Sequence, residues 1–220
     1  MSDRLWYVSY GSNLLRERFH TYLTGSDELS EFGAHPPAPS TALPADQRWL
    51  WIDHALYFAG VSRRWTGASA FVSTTVDPAN PSVARGYLIE RTQFAHLAAV
   101  ENVAPYIDVG ATHTLAIGQW SRLAVDRRGE SFRGKYDALL RLPDIDGHPA
   151  FTLTSSITRE PGEPSSRYVS TIRRGLLSAA LDLDVDAYLR AAVERSAQIT
   201  SAHRDSSSAV ARCSPTTEKQ

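Results

Sequence analysis

Leu5-Trp6-Tyr7-Val8 is an unbroken apolar run that leads into Gly11-Ser12-Asn13, after which Leu15, Phe19, Tyr22 and Leu23 recur at helical spacing. The run predicts a strand over Leu5–Tyr10, and the spacing predicts a helix over about Asn13–Leu23. Residues 24–48 break this pattern. They hold Gly25, Gly33, Pro36, Pro37, Pro39 and Pro44 and few large apolar side chains. A long loop follows, either a lid or specificity element or a plain insertion. Aromatic and β-branched runs then predict strands at Trp51–Ala59, Ala68–Thr74 and Val83–Ile89. A helix is expected at about Gln93–Asn102. Further strands are expected near Gln119–Val125, Gly134–Arg141 and Ala150–Ile157, with a hairpin turn at Asp144–Gly147. Pro164 is expected in the first turn of a helix carrying Val169, Ile172, Leu176 and Ala179. A last helix is expected over about Asp184–Gln198, with Val185, Tyr188, Leu189, Ala192 and Val193 as its apolar stripe. From Thr200 the chain is Ser-, Thr- and charge-rich, so residues 200–220 are expected to be a disordered tail. The order of elements is α+β rather than regularly alternating, and it predicts a strongly curved mixed sheet or barrel flanked by helices. Residues 1–199 are expected to form one domain.

Charge and cysteine content narrow the function. The 23 basic and 24 acidic residues leave a formal charge of −1, which argues against a nucleic-acid partner. The basic cluster Arg122–Arg133 is interrupted by Asp126 and Glu130. The lone cysteine, Cys213, forms no internal disulfide and no zinc motif. No stretch approaches the ~18 apolar residues of a membrane span, and the chain starts without an apolar signal core. These readings predict a cytoplasmic protein with no membrane partner. His54, His113 and His148 are expected on the surface or in strands, with no metal bound.

Two places carry candidate chemistry. A strand turning sharply into a helix leaves backbone N–H groups unpaired at the positive end of the helix, a ready cradle for a small anion. Gly11 would supply an unusual φ and close approach, and Ser12 or Asn13 the cap. Such junctions also occur only to turn and cap the chain. The second place is Glu101. Phe94, Leu97, Ala98 and Glu101 share one helical face, so a carboxyl group sits on the apolar side. Burial there favours its protonated form, which suits a general acid/base; a boundary glutamate paired with an arginine is the plainer alternative. Ser12 after Gly11 is loosely like a nucleophile elbow, but Leu14 stands where that motif needs glycine.

With these residues assembled, the sequence resembles the γ-glutamylcyclotransferase-like family. The shared features are Tyr7-Val8-Ser9-Tyr10-Gly11-Ser12-Asn13-Leu14, Ala84-Arg85-Gly86-Tyr87-Leu88-Ile89, Phe94-x-x-Leu97 ending in Glu101, and Pro164-Ser165-Ser166-Arg167-Tyr168. They match in order and spacing from about residue 5 to about 190. The resemblance implies a small mixed β-barrel flanked by helices and a cofactor-independent, amide-cleaving cyclotransferase. Such an enzyme cyclises a γ-glutamyl compound to 5-oxoproline and frees an amine or amino acid. It implies Glu101 as the catalytic acid/base, Tyr7, Val8, Ser9, Tyr10, Gly11, Ser12 and Asn13 as the loop that holds the γ-glutamyl group, and Tyr168 as a substrate contact. Family members carry an acidic residue directly after the helical leucine, where Ala98 stands, and a glycine after the glutamate, where Asn102 stands. These departures bear on the substrate. A non-catalytic module binding a small carboxylate or peptide end, and a serine hydrolase using Ser12, are the competing readings. The expected partner is a small-molecule γ-glutamyl substrate, and the protein is expected as a monomer or homodimer.

Overall fold

The computed structural model describes residues 3–124 and 134–197. The tail at 200–220, Cys213 and most of the Arg122–Arg133 cluster lie outside the described residues. Strand β1 (Arg4–Ser9) leads into a 3₁₀ turn (Ser12–Leu14) and helix α1 (Arg16–Thr24). After a long loop come β2 (Asp46–Ile52), the hairpin β3 (Leu56–Ser62) and β4 (Gly67–Val72), and β5 (Ser82–Glu90). Helix α2 (Arg91–Glu101), a second 3₁₀ turn (Gly110–His113), β6 (Trp120–Arg122), β7 (Ala138–Ile145) and β8 (His148–Thr154) follow. Helix α3 (Ser166–Leu177) and a helix α4 over residues 185–197 complete the described chain. No helix among the described residues is long and apolar enough to cross a membrane.

The α+β expectation holds. Six strands form one mixed sheet in the order β2-β5-β1-β8-β7-β6, and β3-β4 pair separately. The neighbours in the large sheet are antiparallel except β1 and β8, which run parallel through Trp6↔Ala150 and Tyr7↔Phe151. The sheet is curled without closing into a barrel, since β2 and β6 remain its two edges. Thr154 Oγ1 on β8 donates to the Val72 carbonyl on β4 (2.5 Å), which ties the hairpin to the sheet. Alternation along β1 separates two cores. Trp6 and Val8 pack with α3 and α4 residues such as Ile172, Leu176 and Leu189, while Leu5 and Tyr7 pack with Phe19, Phe94 and Phe151.

Local chemistry explains the element ends. Glu90 and Gln93 form a reciprocal capping box at the start of α2, which satisfies two N–H groups that a helix start otherwise leaves open. Asp146 and Gly147 take positive φ (48° and 74°) at the β7–β8 reversal, the geometry of a tight hairpin turn. Ser165 Oγ accepts from the Tyr168 N–H and caps α3. Pro164 therefore stands before the cap and not in the first turn.

Several boundaries differ from expectation. The single strand expected over Trp51–Ala59 is two, because the chain must leave the sheet edge and enter the hairpin. His54 sits at the break; it is buried, its Nδ1 bonds the Ser73 carbonyl (2.8 Å), and its own carbonyl accepts from Ser82 Oγ (2.5 Å). It is no surface histidine. The strand expected from Gly134 begins at Ala138, and that expected near Gln119–Val125 is Trp120–Arg122.

Candidate active site

The junction after β1 is tighter than the sequence suggests. Leu15 is extended (φ −77°, ψ 113°) and separates the 3₁₀ turn from α1. Neither Ser12 nor Asn13 caps a helix by its side chain: Gly11 precedes the turn and Leu15 precedes α1. The turn is held from β5, where Tyr87 Oη donates to the Asn13 carbonyl (2.7 Å) and Arg85 donates to the Leu14 carbonyl (3.1 Å). These contacts give Arg85 and Tyr87 of the 84–89 segment their structural work. Gly11 has φ −115°, so its role is close approach. A Cβ there would meet Tyr168 Oη at 3.1 Å and Ala70 Cβ at 3.3 Å.

This junction forms one wall of a cavity of about 590 Å³. Tyr7, Ser9, Tyr10, Gly11, Ser12 and Asn13 line it, together with Glu101 and Tyr168. Val8 does not: its side chain is fully buried in the core with Trp6, because successive strand residues face opposite sides. Its carbonyl is taken by Thr152 Oγ1 (2.6 Å).

Glu101 is the last residue of α2 and half-buried. Its Oε1 accepts from Tyr22 Oη (2.6 Å) and from Asn13 Nδ2 (3.3 Å). Asn13 Nδ2 also donates to Tyr7 Oη (3.2 Å). Burial, followed by the Glu101 charge, pushes the Tyr7 hydroxyl well above its ordinary range. Burial likewise pushes Tyr168 up to about 12. Its oxygen accepts from the Ala70 N–H (3.2 Å) and from the Ser12 N–H. Tyr7 and Tyr168 thus stay protonated near neutral pH and can act as donors. No histidine among the described residues hydrogen-bonds the Ser12 hydroxyl, the pairing that a Ser–His nucleophile would need.

The cavity also contains residues that sequence reasoning passed over. Arg18 is 2% exposed, and no carboxylate lies within ion-pair distance of it among the described residues. Its guanidinium donates to Tyr22 Oη (2.7 Å), to Thr21 Oγ1 (3.1 Å) and to His35 Nε2 (2.8 Å). The signal was present: Arg18 precedes Tyr22 by one helical turn, a charge on the buried face, as at Glu101. Lys135, Tyr136, Arg64 and Trp65 complete much of the rim. Burial lowers the Lys135 ammonium's pKa.

The long loop is a structured wall of this cavity. Ser26 and His35 exchange both backbone hydrogen bonds (3.0 and 2.9 Å), and Phe32, His35 and Ala38 are buried. His35 Nδ1 lies 3.1 Å from the Gly33 carbonyl. A carbonyl only accepts, so the proton is on Nδ1 and Nε2 receives the Arg18 bond. Burial first, and then the Arg18 charge, push His35 down from 6.5 to about 4. Between those values an unfolded chain takes up a proton that the folded protein refuses. Stability therefore falls as pH drops from 6.5 towards 4, and the loss is complete below about 4. Melting curves between pH 7 and 4 should decline more steeply for the wild type than for His35→Gln; equal slopes would remove His35 as the source.

No family model matches the sequence, and no curated protein matches it. The solved structures similar to the chain include the following two. One is an uncharacterized human protein, 17% identical, with 86% of this chain and 88% of that one covered and a TM-score of 0.48. The other is a gamma-glutamyl cyclotransferase, 20% identical, with 86% and 87% covered and a TM-score of 0.48.

Proposed function

We propose that the protein is a γ-glutamylcyclotransferase-like enzyme that releases 5-oxoproline from a γ-glutamyl amide. One observation carries the reading: Glu101, from the far end of α2, meets the Tyr7–Asn13 segment inside one cavity and is hydrogen-bonded to Asn13. These are two of the four elements on which the sequence resemblance rests, and Asn13 and Glu101 are 88 residues apart in the chain.

The reaction is internal to the substrate. The free α-amine attacks the γ-carbonyl carbon, a C–N bond forms to close the five-membered lactam, and the C–N bond to the leaving amine breaks. Glu101 accepts a proton from the attacking nitrogen and returns one to the leaving nitrogen. Atoms balance without any further reactant. The segment Tyr7–Asn13 would hold the glutamyl portion, with Gly11 allowing close approach and the Tyr7 hydroxyl available as a donor. Restricting the glutamyl chain to its ring-closing shape is the larger part of the task, since positioning is where such a reaction gains most. Tyr168, whose hydroxyl is tied to the backbone of Ser12 and Ala70, fixes the cradle against the β3–β4 hairpin.

The test is 5-oxoproline release from a panel of γ-glutamyl-amino acids and γ-glutamyl-amines by the purified protein. Release from one class and not the other names the leaving group. A panel with no release, alongside tight binding of its members, would replace this reading with that of a binding module.

A further inference from the structure

Arg18 poses a problem that the proposed reaction does not absorb. A cation almost fully removed from water is costly unless matched by charge or by hydrogen bonds. Here it has no carboxylate beside it among the described residues, and its Nε is buried without a partner. The guanidinium lies 4.5 Å from the centre of the Tyr22 ring, 5.7 Å from that of Phe32 and 6.0 Å from that of Trp65. This packing absorbs the flat faces of the group, while its NH1 and NH2 groups have assigned targets. NH2 donates to Tyr22 Oη, and Tyr22 Oη donates to Glu101 Oε1. NH1 contacts His35 Nε2, and His35 reaches back to the Gly33 carbonyl.

We infer that Arg18, clamped by His35 of the 25–45 loop, is a positioning residue that sets Glu101 through Tyr22. The inference rests on the proposed role of Glu101. A hydroxyl that accepts from a cation has one rotor choice left, which is to donate onward, and its donation is strengthened by the charge behind it. Burial, opposed by Arg18 and supported by Glu101, keeps the Tyr22 hydroxyl well above its ordinary range, so it remains a donor. The two hydrogen bonds to Glu101, from Tyr22 and from Asn13, fall on Oε1. Oε2 accepts none among the described residues. The chain therefore divides the carboxylate: one oxygen is anchored, and the other is left to exchange the proton. The long loop gains a definite task, since it supplies the acceptor that stops the guanidinium from turning away from Tyr22. A histidine kept neutral is the right group for this, because an imidazolium has no lone pair to offer.

Tyr22→Phe removes one oxygen and keeps the ring that packs on Arg18. It should lower kcat about tenfold or more, as expected for loss of a hydrogen bond to a charged group, with KM within about twofold. Unchanged kcat, or a rise in KM alone, would overturn the positioning role. His35→Leu should lower kcat in the same manner, and His35→Gln, which retains an acceptor, should restore most of it. Equal loss in both would show that the loop acts only as packing. A double-mutant cycle of thermal stability with Tyr22→Phe and Glu101→Ala, which removes the accepting oxygen, reads the chain without any reaction. Non-additive losses support it, and strictly additive losses overturn it. Absence of 5-oxoproline release by the wild type would count against the cyclotransferase reading, and this cycle would still judge the chain.

Discussion

Glu101→Gln is expected to reduce 5-oxoproline release by about 10³-fold, within the range for loss of a positioned acid/base, while leaving the fold intact. The substitution is nearly isosteric, and its effect divides cleanly. A glutamine carbonyl at the position of Oε1 still accepts from Tyr22 and from Asn13, so the two hydrogen bonds that place the side chain survive. Only the capacity to take up and return a proton is lost. Binding of an unreacted γ-glutamyl ligand should therefore persist, with a dissociation constant within a few-fold of the wild-type KM. Steady-state release and ligand binding, measured on the same two proteins, make the check. A variant that turns over at a comparable rate would remove Glu101 from the chemistry, and one that also loses binding would make it a structural anchor. Glu101→Asp offers a second comparison. It keeps the carboxyl group but withdraws it by one methylene from Tyr22, so its activity measures how much position matters beyond charge.

What the sequence reveals about this site follows from the range of each interaction. Glu101 is legible because Phe94, Leu97 and Ala98 mark one helical face, and all three are buried. The segment around Gly11 is legible because a strand, a glycine and two small polar residues follow one another directly. Arg18 obeys the same rule as Glu101, yet the surrounding positions Phe19, Tyr22 and Leu23 read as an ordinary apolar stripe. Tyr22 belongs to the core by pattern and to the site by its hydroxyl, and periodicity sees only the first. His35 lies in a stretch without periodicity. Its place is set by a bridge to Ser26 and by Arg18, seventeen residues earlier. By pattern, Lys135 and Tyr136 belong to the start of a strand. They fall in the turn before β7, which brings them to the cavity wall. Local pattern thus locates the elements and the one misplaced charge, whereas the groups that surround that charge are brought in by pairings between distant segments. The curl of the sheet is of the latter kind: the parallel β1–β8 pairing joins residues some 144 positions apart, and nothing in either strand alone announces it.

Another contact between distant segments, that of α3 with the 3₁₀ turn, makes Gly175 a position where a single methyl group should harm stability. Gly175 lies in α3, two turns beyond Tyr168, with α3 packed on the 3₁₀ turn. A Cβ there would come within 2.7 Å of both the Leu14 carbonyl carbon and the Leu15 nitrogen, and within 2.8 Å of Leu14 Cβ. Two of these neighbours are backbone atoms and cannot swing aside. They belong to the short extended link that separates the 3₁₀ turn from α1, and Arg85 and Tyr87 pin the preceding carbonyls from the sheet. Alanine is the better helix former by about 1 kcal/mol, so in an exposed helix Gly175→Ala would stabilise. Here the overlap forces α3 away from the turn or pushes the turn into the cavity. Overpacking of this kind costs typically ~1–3 kcal/mol and occasionally more; contact with backbone places it at the upper end and reverses the gain in propensity. A net loss of about 2 kcal/mol corresponds to a fall of roughly 4–8 °C in Tm for a chain of this size. The displacement has a second signature. Tyr168, carried on the same helix, fixes Ser12 and Ala70 through its hydroxyl, so the cradle shifts with it and KM rises alongside the loss of Tm. A variant that melts at or above the wild-type temperature would show that the helix and the turn have slack between them, and that the cradle is not set by α3.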